Sequence, residues 1–404
     1  MADLSLDEAL ASLRDAPCVA GTEFVALGKA LGHVLAEDVV SPLSVPPHDN
    51  SAMDGVVYAQ ADLSPDSETR LTLAGTIAAG HPLDRPMARG EAFRIFTGAP
   101  IPVGGDGVVM QEDCRFEDGF VTLPANPRIG EHIRRVGEDV TAGAQVLTAG
   151  TRLRPQEVGV AALIGRTGLA VRRPLKVAVL SSGDEVVEPG RPLPPGAIYD
   201  SNRPTVIALA RALGFIVTDL GRLPDRLEVV KDALARVAND HDAIITTGGV
   251  SVGGEDHMRA AVLSLGRLEQ WRLKMKPGKP VALGEIGRAR FIGLPGNPVS
   301  AMVTFMMIAR PLLLRMSGAT WTTPPRFPVA ARFALRRKPG RREFLRARLI
   351  VDQQGLGVET HRSDSSGVLT SMAWADGLID VPATLTEVTP GMMIDYLPLS
   401  EVLS

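Results

Sequence analysis

Four glycine-rich loops in the second half of the chain carry the residue types of anion and metal chemistry. They read SSGDE (181–185), TTGGVSVGGED (246–256), KMKPGKP (274–280) and GLPGNP (293–298). Ser182 and Gly183 in the first, Gly248 and Gly249 in the second and Pro295 and Gly296 in the last belong to stretches whose backbone amides can approach a ligand closely. In the last loop Asn297 stands as an N-cap and Pro298 as the first helical residue of VSAMVTFMMIARPLLLRM. A helix N-terminus presents unpaired N–H groups and a positive dipole end, so this loop can receive an anion. Lys276 and Lys279 lie in a turn beside it and suit phosphate or oxyanion contacts.

The carboxylates Asp184, Glu185, Asp225 and Asp256 fall at or just after strand ends. Asp225 stands three residues before Glu228, the spacing of a capping box, and so reads either as a helix cap or as a metal ligand. Paired with Asp256 it would hold a hard cation such as Mg²⁺, which keeps waters and bridges substrate phosphates. A phosphoanhydride held by Mg²⁺ and lysines is arranged for attack at phosphorus. Three segments of the first half form polar loops suited to a cleft: DNSAMDG with Asp54, IFTGAPIP with Thr97, and HIRRVGEDV with Arg134 and Asp139. The cluster RRKPGRREFLRAR (336–348) is a local positive patch that attracts anions or forms a solvated hairpin.

The elements that must position these groups follow from hydrophobic period and breakers. Strands are expected at 176–180, 215–220 and 243–247, with helices over 203–213, ending at Gly214, over 226–238 and after the second loop. That alternation predicts an α/β domain over 174–318 with a parallel sheet and right-handed crossovers, ligands lying outside the carboxyl ends of its strands. A capping box at Ser5 and Glu8 opens an amphipathic helix, and a second helical pattern runs over 29–36. Residues 1–48 and 143–173 read as an N-terminal helical region, interrupted by a β-rich subdomain over 49–142. Residues 319–404 read as a small β-barrel with no convincing helix.

Composition bounds the rest. A chain of 404 residues, 45% hydrophobic, can form about two to four domains with proper cores. A formal net charge of −3 argues against a protein devoted to nucleic acid. No apolar run reaches the roughly 18 residues of a membrane span, and the first twenty residues lack a secretory apolar core. Two cysteines without metal-ligand spacing, Cys18 and Cys114, point to a reduced, cytoplasmic protein.

Taken in order, DNSAMDG, TGAPIP, IRRVGEDV, SSGDE, IYDSNR, GGVSVG, KPGKP, LPGNP and PGRREF resemble the MoeA family of molybdopterin molybdenumtransferases, to which the gephyrin E domain is related. The resemblance spans nearly the whole chain. It implies an L-shaped homodimer of four-domain subunits, with the active cleft between the molybdopterin-binding α/β domain of one subunit and the N- and C-terminal regions of the other. It implies the last step of molybdenum cofactor synthesis: adenylylated molybdopterin and molybdate bind, the phosphoanhydride is cleaved, AMP leaves and molybdenum stays on the dithiolene. Carried over residue by residue, the important positions are Asp54, Thr97, Arg134, Asp139, Glu185, Asp225, Ser251, Asp256, Lys276, Lys279, Pro295 and Pro298. Arg346 and Ser366 match positions associated with the oxyanion. A molybdopterin adenylyltransferase that shares the α/β domain and a non-catalytic scaffold on the same fold are the alternatives. A molybdopterin adenylyltransferase and the enzymes that accept the finished cofactor are the protein partners implied.

Overall fold

Alternation at period two in VAVL (177–180) sends Val177 and Val179 to one face of a sheet and Ala178 and Leu180 to the other. Both faces are therefore covered by helices, as a largely parallel sheet requires. The computed structural model describes residues 2–248 and 257–403. Its central sheet has seven strands in the order Ala2–Leu4, Gly266–Leu273, Pro280–Ile286, Ala289–Leu294, Ala243–Thr247, Lys176–Ser182 and Ile216–Leu223. All but Pro280–Ile286 run the same way. On one face pack helix Leu6–Leu13, helix Asn202–Ala212 and the helical run that begins at Pro298. On the other pack Leu227–Asp240 and His257–Leu265, through Val230, Leu234, Met258 and Val262. Each fully buried Val, Leu or Ile in these layers contributes roughly 1.5–3 kcal/mol.

The parallel arrangement and the order strand, helix, strand hold as the pattern indicates. The opening strand and helix do not sit with the N-terminal region. Ala2–Leu4 extends the central sheet beside Trp271–Leu273, and Leu6, Ala9 and Leu13 enter its core. The capping box is formed, with Ser5 Oγ accepting from Glu8 N and the Glu8 carboxylate accepting from Ser5 N.

The helix expected over 29–36 does not form. Residues 27–29 make a single 3₁₀ turn and Val34–Leu35 a short strand. Gly32, at φ +80, turns the chain so that its N–H donates to Leu153 O at 2.8 Å instead of continuing a helix. The rest of the N-terminal region is mostly β: Thr22–Ala26, Gly168–Arg172 and Val34–Leu35 form a three-stranded sheet against helix Pro155–Leu163. The inserted segment holds a six-stranded sheet built from strands between Gly55 and Leu123.

In the C-terminal region Arg342–Asp352, Gly355–Thr360, Phe327–Ala331, Met393–Pro398 and Gly377–Val381 pair in sequence, and the last pairs back onto the first, closing a five-stranded barrel. Two short helices, Thr370–Trp374 and Ser400–Leu403, depart from the expectation of none. With mean hydropathy 1.5 over an 18-residue window, the helical run Pro298–Met316 is long and apolar enough to cross a membrane, although Arg310 and Arg315 interrupt the sequence. It lies 72% buried against the central sheet, so its apolarity serves the core.

Candidate active site

The four loops emerge on one side because the strands before them share a direction. SSGDE follows Lys176–Ser182, the second loop follows Ala243–Thr247, KMKPGKP follows Gly266–Leu273 and GLPGNP follows Ala289–Leu294. In the second loop Gly249, Ser251 and Asp256 lie outside the described residues. Gly248 is described, and its glycine is required: φ is +88, and a Cβ there would stand 2.8 Å from Ser182 O. The first two loops thus touch backbone to backbone. Gly183, at φ +132, lets the Glu185 carboxylate fold over it. Ser182 is buried at the end of its strand.

Between the third and fourth loops opens a cavity of about 690 Å³, within the range of small-molecule sites. Glu185, Lys276, Lys279, Pro295, Gly296, Asn297 and Ser366 all line it, as do Arg341, Asp364 and Ser300. A second cavity, at the seam of the N-terminal and α/β regions, measures about 80 Å³ and holds none of the motif residues.

The barrel supplies the cavity's other wall. Met275–Lys276 adds to the barrel as an edge strand with Lys276 opposite Glu343. Lys276 Nζ stands 2.7 Å from Asp364 and 3.8 Å from the buried Glu343, which also pairs with Arg337 at 3.2 Å. The Lys276 ammonium holds the Asp364 carboxyl below the usual carboxylate range. Lys279 is exposed in the cavity wall.

Asn297 takes the N-cap position and Pro298 the first helical one, as expected. The Asn297 side chain makes no cap. Its Nδ2 donates to Ser366 Oγ at 3.0 Å, while Val299 N donates to Ser366 O at 3.0 Å. Asn202, from IYDSNR, donates to Gly296 O at 2.6 Å and fixes the other side of the loop. Arg346 is 2% exposed and does not line the cavity. Its guanidinium donates to Ser363 O at 2.6 Å, Ser365 O at 3.2 Å and Ser371 Oγ at 3.0 Å, and burial lowers its pKa. Arg346 therefore builds the 363–366 turn that carries Ser366.

Asp225 is not a helix cap. Arg226 takes the N-cap position of Leu227–Asp240 without a side-chain bond, and Asp225 Oδ1 meets His257 Nδ1 at 3.3 Å. Half-exposed and oxygen-bearing, Asp225 fits a hard cation that takes one or two carboxylates and completes its shell with water and phosphate. Among the described residues no cluster of three His, Cys, Asp or Glu forms a self-contained metal cage.

The first-half residues gather elsewhere. Asp54 Oδ1 accepts from Thr97 N and Thr97 Oγ1, both at 2.8 Å, and the backbone bond first, then the hydroxyl, holds its carboxyl below the usual range. Arg134 lies in a short strand paired with Asn50, and Asp139 N donates to Val45 O at 3.0 Å. Asp54, Arg134 and Asp139 are exposed, and none lines the 690 Å³ cavity.

The chain matches in order the MoeA N-terminal region (domain I and II) over residues 4–165, a probable molybdopterin binding domain over 178–315 and the MoeA C-terminal region (domain IV) over 328–399. It is 38% identical over 404 residues to a molybdopterin molybdenumtransferase of Haemophilus influenzae, covering 99% of this chain and 100% of that one. The chain belongs to the MoeA family. A Mycobacterium tuberculosis member, molybdopterin molybdenumtransferase 2, is 36% identical over 93% of this chain and 95% of its own. The crystal structure of a molybdopterin biosynthesis MoeA protein from Pyrococcus horikoshii OT3 superposes with a TM-score of 0.84 at 26% identity, covering 98% and 99% of the two chains.

Sequence alone does not single out Asp364, Glu343, His257, Asn202 or Arg341 as site residues. Asn202 and Glu343 lie inside quoted motifs, IYDSNR and PGRREF, and a lone glutamate within a run of arginines is a usable signal. Asp364 and His257 carry no local signal, because each gains meaning only from a partner at least 32 residues away.

Proposed function

We propose that this protein inserts molybdenum during molybdenum cofactor synthesis. It binds adenylylated molybdopterin and molybdate, cleaves the phosphoanhydride, releases AMP and leaves molybdenum on the dithiolene. The observation that carries this reading is the cavity at the carboxyl edge of the sheet, where Lys276, Lys279 and the Asn297 loop converge in a member of this family. Lys279 and the backbone of 295–298 bind anionic oxygens of the substrate, and Ser366 orients them through its hydroxyl. Asp225 and Asp256 hold Mg²⁺, which when bound neutralises charge on the phosphates and on the departing AMP. Glu185 borders the same space and orders water at the anhydride.

The site is completed by a second copy of the chain. Asp54, Thr97, Arg134 and Asp139 are placed away from the cavity of their own chain, and a homodimer brings them to the partner's cavity. A cytoplasmic location accords with two free cysteines, Cys18 and Cys114. The substrate then comes from a molybdopterin adenylyltransferase, and the product passes to cofactor-accepting enzymes.

The test is AMP release from adenylylated molybdopterin by the purified protein with Mg²⁺, with and without molybdate, beside Asp225→Ala. Molybdate-dependent release that the variant loses is expected. Tight pterin binding without release would leave a carrier or scaffold on an enzyme's fold.

A further inference from the structure

Lys276 is the one lysine of the cavity whose ammonium contacts two carboxylates, and the two differ in kind. Glu343 is 9% exposed, sits opposite Lys276 in the strand pairing and is shared with Arg337. It belongs to the wall. Asp364 is 71% exposed at its side chain and reaches Lys276 Nζ at 2.7 Å from a separate loop. Among the described residues Lys276 is its one side-chain hydrogen-bond partner; its own backbone N–H and the more distant Arg346 act on it more weakly.

The backbone on either side of Asp364 is held by other groups. Arg346 grips the carbonyls of Ser363 and Ser365, Ser363 N donates to His361 Nδ1 at 3.1 Å, and Ser366 is fixed to Asn297 and Val299. The Asp364 side chain can therefore rotate off Lys276 without moving the loop. Lys276, Arg337, Glu343 and Asp364 together are neutral; with Asp364 withdrawn, the group carries one positive charge facing the cavity.

We infer that Asp364 is an intramolecular competitor for the oxyanion position at Lys276, a carboxylate that an entering oxyanion must displace. This rests on the reading of the cavity as an oxyanion-binding site and adds a specificity element to it. An exposed ion pair is weak, so displacement is accessible to a doubly charged oxyanion and costs it only a modest part of its affinity. Monoanions gain less from the freed ammonium and are held out more effectively.

The test is calorimetric titration of the full-length protein with molybdate at low salt, comparing the parent with Asp364→Asn, Asp364→Glu and Lys276→Ala. Asp364→Asn is expected to bind about three- to tenfold tighter, a gain that shrinks in about 0.5 M salt. Asp364→Glu is expected to stay close to the parent, and Lys276→Ala to lose binding. Binding by Asp364→Asn alone, with none in the parent, would support the inference most strongly. If the parent binds and Asp364→Asn is unchanged or weaker, the competitor role is overturned while the oxyanion site stands. If no variant binds, both fall together. Because Asp364 is exposed, unchanged melting temperatures are expected and confirm that differences in affinity are not differences in folding.

Discussion

Asn297 Nδ2 donates to Ser366 Oγ at 3.0 Å, so a helix-opening loop of the α/β domain and a turn from the C-terminal region, 69 residues apart, are tied at the cavity wall. The pair decides what the Asn297 amide does. Held by Ser366, it does not cap its own helix. Ser366→Ala frees it to take that cap, which offsets the lost neutral bond; each effect is about 1 kcal/mol. Stability by urea denaturation is therefore expected to change by less than about 1 kcal/mol. Molybdate-dependent AMP release is expected to fall at least about tenfold, because one oriented hydroxyl is gone from the cavity. Equal losses of stability and activity would make Ser366 a structural residue only.

Among the motif glycines, Gly248 combines a left-handed conformation with a close backbone neighbour. A Cβ at Gly248 meets Ser182 O at 2.8 Å in a left-handed conformation. Gly248→Ala is expected to destabilise by about 1–3 kcal/mol through backbone strain. The urea midpoint should drop with an unchanged slope, whereas a changed slope would mean an altered denatured state.

The sequence makes the strand ends legible because apolar runs and glycine loops are local signals. Gly214 at a helix end, Pro298 at a helix start and the Ser5–Glu8 capping box were readable for the same reason. The C-terminal barrel is legible from its short strands, but which strands close it is not, since Arg342–Asp352 and Gly377–Val381 pair across a long connection. Residues 29–36 show apolar residues at helical spacing, yet Gly32 and the pairing of Val34 and Leu35 with Val171 and Arg172 override it. Asp225 had cap spacing, and tertiary contact with His257 won. For Arg346, the resemblance implies an oxyanion contact, whereas burial turns its donors onto two carbonyls and the Ser371 hydroxyl.

Thr97 offers a test by titration. Two donors from Thr97 depress the Asp54 carboxyl, the backbone N–H more than the hydroxyl. Thr97→Val removes only the hydroxyl. The Asp54 pKa, followed by carboxyl NMR, is expected to rise part of the way toward its ordinary value of about 4. A depressed folded-state pKa contributes stability that is present above the unfolded value and lost as pH falls through the folded one. The variant's acid limb should therefore lie at higher pH. No movement would mean that the retained Thr97 N–H, the larger cause, holds the carboxyl down without the hydroxyl.

At the opposite edge of the sheet, Arg173 clamps Asp242 through two bonds of 2.7 and 2.8 Å, and Lys176 N donates to the same carboxylate at 2.8 Å. Burial pushes this carboxyl up, but the guanidinium and the backbone donor outweigh it and hold the pKa below its ordinary value. Asp242→Ala leaves Arg173 without its carboxylate partner, held only by the carbonyls of Pro174 and Val19, and Lys176 N without its acceptor. Breaking a fully buried pair costs about 3–5 kcal/mol. Because the Arg173 side chain remains 34% exposed, about 2–3 kcal/mol is expected here. The sign with pH follows from the lowered pKa. The clamp's contribution is complete above the unfolded carboxyl value near 4 and disappears as pH falls through the folded one. The gap in stability between parent and variant should thus be constant from about pH 8 to 5 and close toward about pH 3. A gap that persists at low pH would assign the loss to packing instead of charge.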